Sequence, residues 1–285
     1  MNQQVDLFGN VIANNNKVVN VASVPQRSLF RYPGGKTWFV PAFRKWIRQF
    51  NNTEIQFIEP FVGGGIISLT AAFESLAKDI ICSELDDEIA AVWNTVLSKE
   101  SKWLSNRIIN FDMTTENVNI ELAKKTNSIK EKAFITILKN RVFHGGIITK
   151  GSGLIKKGEN GKGISSRWYP STLKKRIEAI DLVKDKIKFI HGDAFKVIEE
   201  FKSNKNAVFF IDPPYIKAGR RLYTHFDIDH KELFRSMSKI KGRFLMTYDN
   251  TEEVRKWADE FSFNYETIPM KTTHHSKKNE LVITN

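Results

Sequence analysis

The chain has one cysteine, Cys82, among its 285 residues. A single cysteine excludes an internal disulfide and any metal site built from several cysteines, and it makes a reducing, intracellular location the default expectation. The sequence also lacks an apolar run that approaches the roughly 20 residues of a membrane-spanning helix. Its first residues, "MNQQVDLFGNVIANNN", contain no basic start followed by a long apolar stretch, so no secretory signal is expected. These absences predict a cytoplasmic protein.

Acidic residues are fewer than basic residues. The chain has 44 Lys and Arg residues against 32 Asp and Glu residues, which gives a net charge of +12 and a pI of about 9.6. The excess is concentrated between Lys139 and Arg176, where ten basic residues accompany a single acid, Glu159. Because many basic proteins bind no nucleic acid, this concentration is a better indication of a phosphate-binding surface than the total charge.

Two stretches of the chain follow the pattern strand, loop, helix. They are "IQFIEPFVGGGIISLTAAFESL" and "DIICSELDDEIAAVWNTVLSK". Successive units of this kind predict an α/β fold with a largely parallel sheet and helices on both faces. A further helix is predicted from about Thr37 to Phe50, after a turn at Pro33.

The pattern changes at residues 96–182, which are predicted to be mainly helical around a glycine-rich basic stretch at 145–163. We interpret 96–182 as an inserted domain. Residues 27–95 and 183–285 then form one α/β domain, whose later strands lie in "IKFIHGDAF", "AVFFIDPPY", "RFLMTYD", "FNYETIPM" and "NELVITN". Residues 1–26 are rich in Asn, Gln and Val and are predicted to be a flexible tail.

A glycine loop follows the first of these strands in "FIEPFVGGG". Gly63 and Gly65 allow the backbone to turn tightly and to approach a ligand closely. The third glycine of the dinucleotide fingerprint is replaced by Ser68, which disfavours an NAD site. Glu84 ends the next strand, where a carboxylate can accept hydrogen bonds from both hydroxyls of a ribose. The alternative is an ordinary glycine turn followed by a helix cap at Asp86 or Asp87.

The stretch "PGGKT" resembles the end of a phosphate-binding loop. That motif requires a glycine at residue 30, which is Phe30, and a preceding strand, which is also missing. A nucleoside triphosphatase is therefore excluded.

The apolar strand predicted at 207–211 ends in Asp212, Pro213, Pro214 and Tyr215. The prolines lack N–H donors and are stiff, but their carbonyl groups remain acceptors. A carboxylate beside a fixed carbonyl suits an exocyclic amine, and the tyrosine can lie against the planar ring that carries it. The site would lie beyond the carboxyl end of a parallel strand, where ligands bind in such sheets. The alternative is a turn with a solvated aspartate.

These motifs occur in a characteristic order: "FRYPGGK", "FIEPFVGGG", the inserted domain, "FIDPPY" and "KKNELVITN". The combination resembles the Dam-like DNA N6-adenine methyltransferases, which are DPPY amino-methyltransferases of the α-type motif order. The resemblance spans roughly residues 28–285. It implies a Rossmann-like, S-adenosylmethionine-dependent methyltransferase sheet and methyl transfer to N6 of an adenine flipped out of double-stranded DNA. S-adenosylhomocysteine would be the product, and no metal is implied.

The resemblance also implies roles for individual residues. The residues expected at the cofactor are Tyr32, Lys36, Phe61, Gly63, Gly65, Glu84, Asp193, Ala194, Phe195 and Asp212. The expected target pocket consists of Asp212, Pro213, Pro214 and Tyr215. The inserted domain would read the DNA sequence, and its predicted DNA contacts are Arg141, Lys150, Lys156 and Arg167.

The tail carries a second motif. "QVDLF" resembles the short peptide with which bacterial proteins bind the replication sliding clamp, and its pocket-filling residues would be Gln4, Leu7 and Phe8. The alternative is that Leu7 and Phe8 pack on the protein's own surface. The resemblance further implies a monomer in a bacterial or phage-infected cell, with a cognate restriction endonuclease as a candidate partner.

Other readings of the target site stay open at this point. The amine could belong to cytosine N4, an RNA base or a glutamine side chain, or the chain could be a DNA-binding relative without catalysis. An Asp at position 212, rather than a Ser or Asn, before Pro-Pro-Tyr favours adenine over the other amines. The basic insert disfavours a protein substrate, and the intact tetrapeptide disfavours loss of catalysis.

Overall fold

A seven-stranded sheet forms the centre of the protein. The computed structural model describes residues 21–31, 34–149, 151–158, 161–216, 224–225, 227–271 and 277–285. The strand order is β3-β2-β1-β4-β5-β7-β6. The strands are β1 (Gln56–Glu59), β2 (Asp79–Glu84), β3 (Ile187–His191), β4 (Ala207–Ile211), β5 (Arg243–Asp249), β6 (Asn264–Lys271) and β7 (Lys277–Thr284).

Strands β1 to β5 are parallel, and β7 runs antiparallel to both of its neighbours. The reversal at β7 follows from its connection, because the five residues between β6 and β7 are too few for a crossover that would keep the strands parallel. β1 lies between β2 and β4, because the chain runs outward from β1 through β2 to β3 and then crosses back to β4 on the other side of β1. This switch point opens a crevice beyond the carboxyl ends of β1 and β4.

Helices cover both faces of the sheet. Every residue of β4 is buried; Val208 and Phe210 belong to one apolar cluster, whereas Phe209 and Ile211 belong to the other. Because alternate residues of a strand point to opposite faces, both faces of β4 are covered. The α/β fold predicted from the sequence, a Rossmann-like sheet between helices, is confirmed.

The helices of the α/β part are α1 (Val40–Ile47), α2 (Ile66–Phe73), α3 (Asp87–Val96), α8 (Ala194–Phe201), α9 (His230–Met237) and α10 (Glu252–Glu260). The helix predicted at 37–50 is a 3₁₀ turn at Lys36–Phe39 followed by the shorter α1. Pro41, in the first turn of α1, has no N–H to continue α-type pairing back into the 3₁₀ turn.

Four helices lie within residues 96–182. They are α4 (Ser101–Ile109), α5 (Thr115–Ala123), α6 (Ile129–Val142) and α7 (Pro170–Asp181). α6 packs on α3, and the buried side chains of these helices share one apolar cluster with residues of the sheet. The division of the chain at 96 and 182 stays a prediction.

The described chain begins to pack before residue 26, where the predicted tail ends. Val24 is buried in the same cluster as Leu29 and Phe30. Gln4, Leu7 and Phe8 of the predicted clamp peptide lie outside the described residues. Within the described part of the chain, the helices are too short or too polar to cross a membrane.

Gly65, at the start of α2, is expected to be intolerant of a side chain. Its φ is +62°, and a Cβ there would lie 2.3 Å from Cζ2 of Trp93. Gly65→Ala should lower the free energy of unfolding by about 2–4 kcal/mol, because backbone strain and overpacking add. Urea unfolding measures this loss.

Gly153→Ala is the matched control, since a Cβ at Gly153 would meet nothing within 4 Å. It should change the free energy of unfolding by less than about 1 kcal/mol. Equal effects of the two substitutions would contradict the close approach of Gly65 and Trp93.

Candidate active site

A cleft of about 1200 Å³ opens at the carboxyl ends of β1 and β4. Its walls come from parts of the chain that are far apart in sequence: the turn before α1, the glycine loop, the ends of β2 and β3, the tip of β4 and the inserted helices. Most of the described residues predicted for the site line this cleft. They are Lys36, Phe61, Gly63, Gly65, Glu84, Arg141, Arg167, Asp193, Ala194, Phe195, Asp212, Pro214 and Tyr215.

The glycine loop is fixed from both sides. Gly63 and Gly65 adopt left-handed φ values of 44° and 62°. The indole Nε1 of Trp93 donates to the Gly63 carbonyl at 3.0 Å, and Gly63 N donates to Glu84 Oε2 at 3.1 Å. The loop is therefore held in a conformation that brings its backbone to the wall of the cleft.

Glu84 is a half-buried carboxyl group with three backbone donors. Oε1 accepts from the N–H groups of Leu85 and Asp86 at 2.9 and 3.0 Å, and Oε2 accepts from Gly63. Burial raises the pKa of Glu84 to about 7, against the opposing effect of these hydrogen bonds. A carboxylate has about four lone-pair positions, so one position remains, on Oε2. This geometry favours one ligand hydroxyl at Glu84, whereas the sequence analysis expected two.

The segment Asp193–Phe195 lines the cleft next to Glu84, because Gly192 N donates to the Glu84 carbonyl at 2.9 Å. Asp193 caps α8, because its Oδ1 accepts from the N–H groups of Phe195 and Lys196 at 2.9 and 3.2 Å. Asp86 caps α3 in the same way. The role of Asp193 at a cofactor stays a prediction, and the structure adds a capping role that the sequence analysis did not assign.

The ammonium group of Lys36 lies at the tip of β4 and is 3% exposed. Its Nζ is 2.8 Å from Asp212 Oδ1 and 2.9 Å from Glu280 Oε1, and it donates to Tyr215 Oη at 2.5 Å. Tyr215 Oη donates in turn to Glu280 Oε1 at 2.6 Å. The four side chains form a closed polar cluster in the same cleft as the glycine loop, in which Lys36 contacts the Asp-Pro-Pro-Tyr tetrapeptide directly.

The acidic side chains of this cluster stabilise the positive charge of Lys36. Burial alone would lower the pKa of Lys36, but Asp212, Tyr215 and Glu280 outweigh it and raise that pKa well above its usual value. Burial raises the pKa of Tyr215 well above its usual value. At neutral pH, Lys36 is therefore a cation and Tyr215 a neutral phenol.

Two described side chains contact the Asp212 carboxylate, and both reach the same oxygen. Lys36 and the hydroxyl of Thr247 both reach Oδ1, the latter at 2.9 Å. Among the described residues, Oδ2 receives no hydrogen bond, and the side chain is 21% exposed. Asp212 therefore presents a single acceptor oxygen to the cleft.

The sequence model of the D12 class N6 adenine-specific DNA methyltransferases matches residues 32–273. The chain belongs to this family. The match includes the glycine loop, the inserted helices and the tip of β4. No curated protein matches the chain significantly.

Solved structures with a related arrangement come from several organisms. A protein of Pyrococcus horikoshii assigned as an RNA methyltransferase is 13% identical, with 93% of this chain and 92% of that chain covered and a TM-score of 0.41. The rRNA methyltransferase AviRa of Streptomyces viridochromogenes is 12% identical, with 97% and 94% covered and a TM-score of 0.39. A precorrin-6y C5,15-methyltransferase of Geobacter metallireducens is 9% identical, with 99% and 97% covered and a TM-score of 0.36. At TM-scores this low the likenesses carry no argument, and the fold assignment rests on the strand order.

Glu59 is a residue of this methyltransferase that the sequence analysis missed. It ends β1, is buried, lines the cleft and accepts hydrogen bonds from both the N–H and the hydroxyl of Ser68. Burial raises its pKa to about 8. An acid directly before Pro60 at the end of a buried strand was the available signal.

Arginines from the basic segment 139–176 of the methyltransferase line the cleft together with Arg31. Arg141 is only 4% exposed and donates to the Leu29 carbonyl at 2.5 Å, and Arg176 donates to the Ser28 carbonyl at 2.6 Å. Burial, and then the neighbouring arginines, lower the pKa of Arg141 to about 9. Its burial favours a structural role, whereas the predicted DNA contact requires an accessible side chain.

The remaining predicted residues lie elsewhere. Lys156 is exposed on a second cavity of about 660 Å³, formed by the glycine-rich part of the insert and Thr115. Tyr32 and Lys150 lie outside the described residues, and Pro213 is buried beside the cleft. Within the described ranges, no group of three or more His, Cys, Asp or Glu side chains is arranged to hold a metal ion.

Glu59 should make the stability of the methyltransferase depend on pH. Its folded pKa of about 8 lies above the ordinary value of 4.5, so the folded state retains a proton that the unfolded chain has already released. The free energy of unfolding should therefore fall as the pH rises through this interval. Between about pH 5.5 and about pH 7.5 the wild type should lose on the order of 1–3 kcal/mol more than Glu59→Gln.

Urea unfolding of both proteins at several pH values measures this difference. Glu84, whose raised pKa also contributes, is present in both proteins, so its effect cancels in the comparison. Parallel stability curves for the wild type and Glu59→Gln would show that Glu59 is ionised in the folded state.

Proposed function

We propose that the chain transfers a methyl group from S-adenosylmethionine to N6 of an adenine in double-stranded DNA. The observation that carries the proposal is the tip of β4, where Asp212 presents an oxygen that no described residue hydrogen-bonds, beside the fixed ring of Tyr215. Both lie in the same cleft as the glycine loop. Membership of the N6 adenine-specific family supports adenine as the target base.

The cleft suits the cofactor that the family implies. The glycine loop presents backbone to the cleft, and Glu84 has one acceptor position left for a ribose hydroxyl. The ring of Phe195 lines the cleft and would pack against the adenine ring of the cofactor. Gly63, Gly65, Glu84 and Asp193 would hold the cofactor. When bound, S-adenosylmethionine supplies a methyl carbon on a positively charged sulfur, which leaves with the bonding electrons as a neutral thioether.

Asp212 would activate the target amine. The lone pair of adenine N6 is delocalised into the ring, which makes the nitrogen a poor nucleophile. Hydrogen bonds from its two N–H groups to Asp212 Oδ2 and the Pro213 carbonyl would favour a pyramidal nitrogen with higher electron density. The nitrogen must release one proton as it gains the methyl group, and Asp212 Oδ2 would accept that proton.

Tyr215 would hold the flipped base. An adenine inside a duplex cannot reach the tip of β4, so it has to leave the base stack and enter the cleft. The hydroxyl of Tyr215 is committed to both Lys36 and Glu280, which fixes the ring in one orientation. A fixed aromatic face is a stacking platform that requires no ordering when the base arrives.

The insert would bind the DNA backbone. Arg167 lines the cleft near Tyr169, which is 53% exposed, and Lys156 is exposed on the glycine-rich stretch. Cations in such positions neutralise phosphates and make the affinity depend on salt. A contact of Gln4, Leu7 and Phe8 with a sliding clamp and a partnership with a restriction endonuclease stay predictions.

Asp212→Ala should abolish methylation, because it removes the acceptor for the target amine. The test incubates the enzyme with S-adenosylmethionine and unmethylated genomic DNA or RNA, and identifies the modified nucleosides by mass spectrometry. We expect N6-methyldeoxyadenosine from wild type with DNA, and at least about a 100-fold lower rate from Asp212→Ala.

Asp259→Ala is the matched control, since Asp259 is an exposed aspartate on α10. It should leave the rate unchanged. N4-methyldeoxycytidine as the product, or methylation of RNA alone, would assign the cleft to a different substrate. Turnover by a folded Asp212→Ala variant close to that of wild type would remove Asp212 from the mechanism.

Arg167→Gln should weaken binding to duplex DNA and flatten its salt dependence. Loss of one phosphate contact lowers the slope of log affinity against log salt concentration by about one. Fluorescence anisotropy of a labelled duplex over a range of salt concentrations measures the slope.

Lys205→Gln is the control for this measurement. Lys205 is exposed just before β4, at the end of the strand away from the cleft. It should leave the slope unchanged. If both substitutions change the slope equally, the affinity reflects net charge, and the cleft does not define the DNA path.

A further inference from the structure

Glu280 is one of the four members of the polar cluster, although neither the tetrapeptide nor the glycine loop contains it. It belongs to β7, is 3% exposed and lies opposite Asp249 of β5 in the antiparallel ladder. β7 reaches this position only because it inserts between β5 and β6. The last strand thereby brings a second carboxylate to the catalytic aspartate.

A single oxygen of Glu280 joins two other side chains of the cluster. Oε1 accepts from Tyr215 Oη at 2.6 Å and lies 2.9 Å from Lys36 Nζ. Lys36 in turn donates to Tyr215 Oη at 2.5 Å, which closes a triangle. The tyrosine hydroxyl uses its proton on Glu280 and a lone pair on Lys36, so its ring has one stable orientation.

Glu280 also affects the charge that Asp212 offers to a substrate. The cation of Lys36 lies between two carboxylates, at 2.8 Å from Asp212 and 2.9 Å from Glu280. If Glu280 were neutral, Lys36 would be balanced by Asp212 alone, and the aspartate would become a weaker acceptor. Tyr215 would lose its hydrogen-bond acceptor in the same step.

We propose that Glu280 is a positioning residue for methyl transfer, which holds the ring of Tyr215 and divides the charge of Lys36 so that Asp212 accepts from the target amine. It touches neither the amine nor the methyl group. The proposal rests on the proposed function for its choice of assay. It assigns to β7 a part in catalysis in addition to its place in the sheet.

The test measures kcat, KM for DNA and binding of S-adenosylhomocysteine for Glu280→Gln. Because Gln keeps the size of Glu but removes the charge, we expect kcat to fall by about 10- to 100-fold, the range for losing a group that orients a reacting residue. The KM and the affinity for S-adenosylhomocysteine should change by less than about threefold, since the glycine loop and the insert are untouched.

A second readout separates positioning from simple loss of structure. The charge of Glu280 raises the pKa of Asp212, so removing it should move the acid limb of the kcat profile to lower pH. A general loosening of the fold would lower kcat without moving this limb. The other titratable groups that influence Asp212 or contact it are Lys36, Glu59, Tyr215 and Tyr248.

Glu121→Gln is the matched control. Glu121 is a buried carboxylate, 6% exposed, whose Oε1 pairs with Arg107 at 2.5 Å and with Lys124 at 2.7 Å, far from the polar cluster in sequence. The control therefore also neutralises a buried, ion-paired glutamate. It should lower stability while leaving kcat and the acid limb in place.

The outcomes distinguish the two proposals. If wild type produces no N6-methyldeoxyadenosine, the proposed function fails whatever the variants do. If wild type is active and Glu280→Gln keeps kcat within about threefold with an unmoved acid limb, the role of Glu280 is wrong. If Glu280→Gln does not fold, Glu280→Asp provides the test. The shorter Asp side chain keeps the charge but cannot keep the contacts with both Lys36 and Tyr215. A kcat loss of about tenfold with unchanged cofactor affinity then supports the proposal, and unchanged kcat overturns it.

Discussion

The buried ammonium of Lys36 is the interaction on which the arrangement of the site depends. Removing a charge from water costs several kcal/mol, and the cost is recovered only when good partners surround the charge. Lys36 has three such partners: Asp212 just after β4, Glu280 in β7 and the hydroxyl of Tyr215. The dependence is mutual, because Asp212 and Glu280 would repel each other without a cation between them. The turn before α1 is thereby tied to the two strands that carry the carboxylates.

The sheet explains why these groups can meet. Strand order reverses between β1 and β4, and each of these strands ends in a segment that cannot continue the ladder: Pro60 and the glycine loop after β1, and Pro213 with Pro214 after β4. Both tips therefore turn away from the sheet into the same cleft. The glycine loop and the Asp-Pro-Pro-Tyr tetrapeptide become neighbours although about 150 residues separate them in the chain.

The sequence predicted those features that local patterns encode. The βα units, the parallel sheet, the glycine loop and the tip of β4 each have a short signature, and the structure brings the predicted residues to one cleft. The contacts of Lys36 and the position of Glu280 have no local signature, because they depend on β7 pairing with β5 across the sheet. Burial decides the remaining difference: Arg141 and Lys156 belong to the same basic segment in the sequence, but one is enclosed and the other is exposed.

This difference in burial divides the basic residues of the segment 139–176 by their structural role. Arg141 and Arg176 donate to the carbonyl groups of Leu29 and Ser28, and the hydroxyl of Ser28 donates to the carbonyl of Gly64 in the glycine loop at 2.5 Å. The inward-facing arginines therefore connect the insert to the loop through one short segment of backbone. Lys156, in contrast, is exposed on the glycine-rich stretch. The basic stretch thus contains two populations of cations: one holds residues 139–176 against the cleft, and the other is exposed, which the proposed phosphate contacts require.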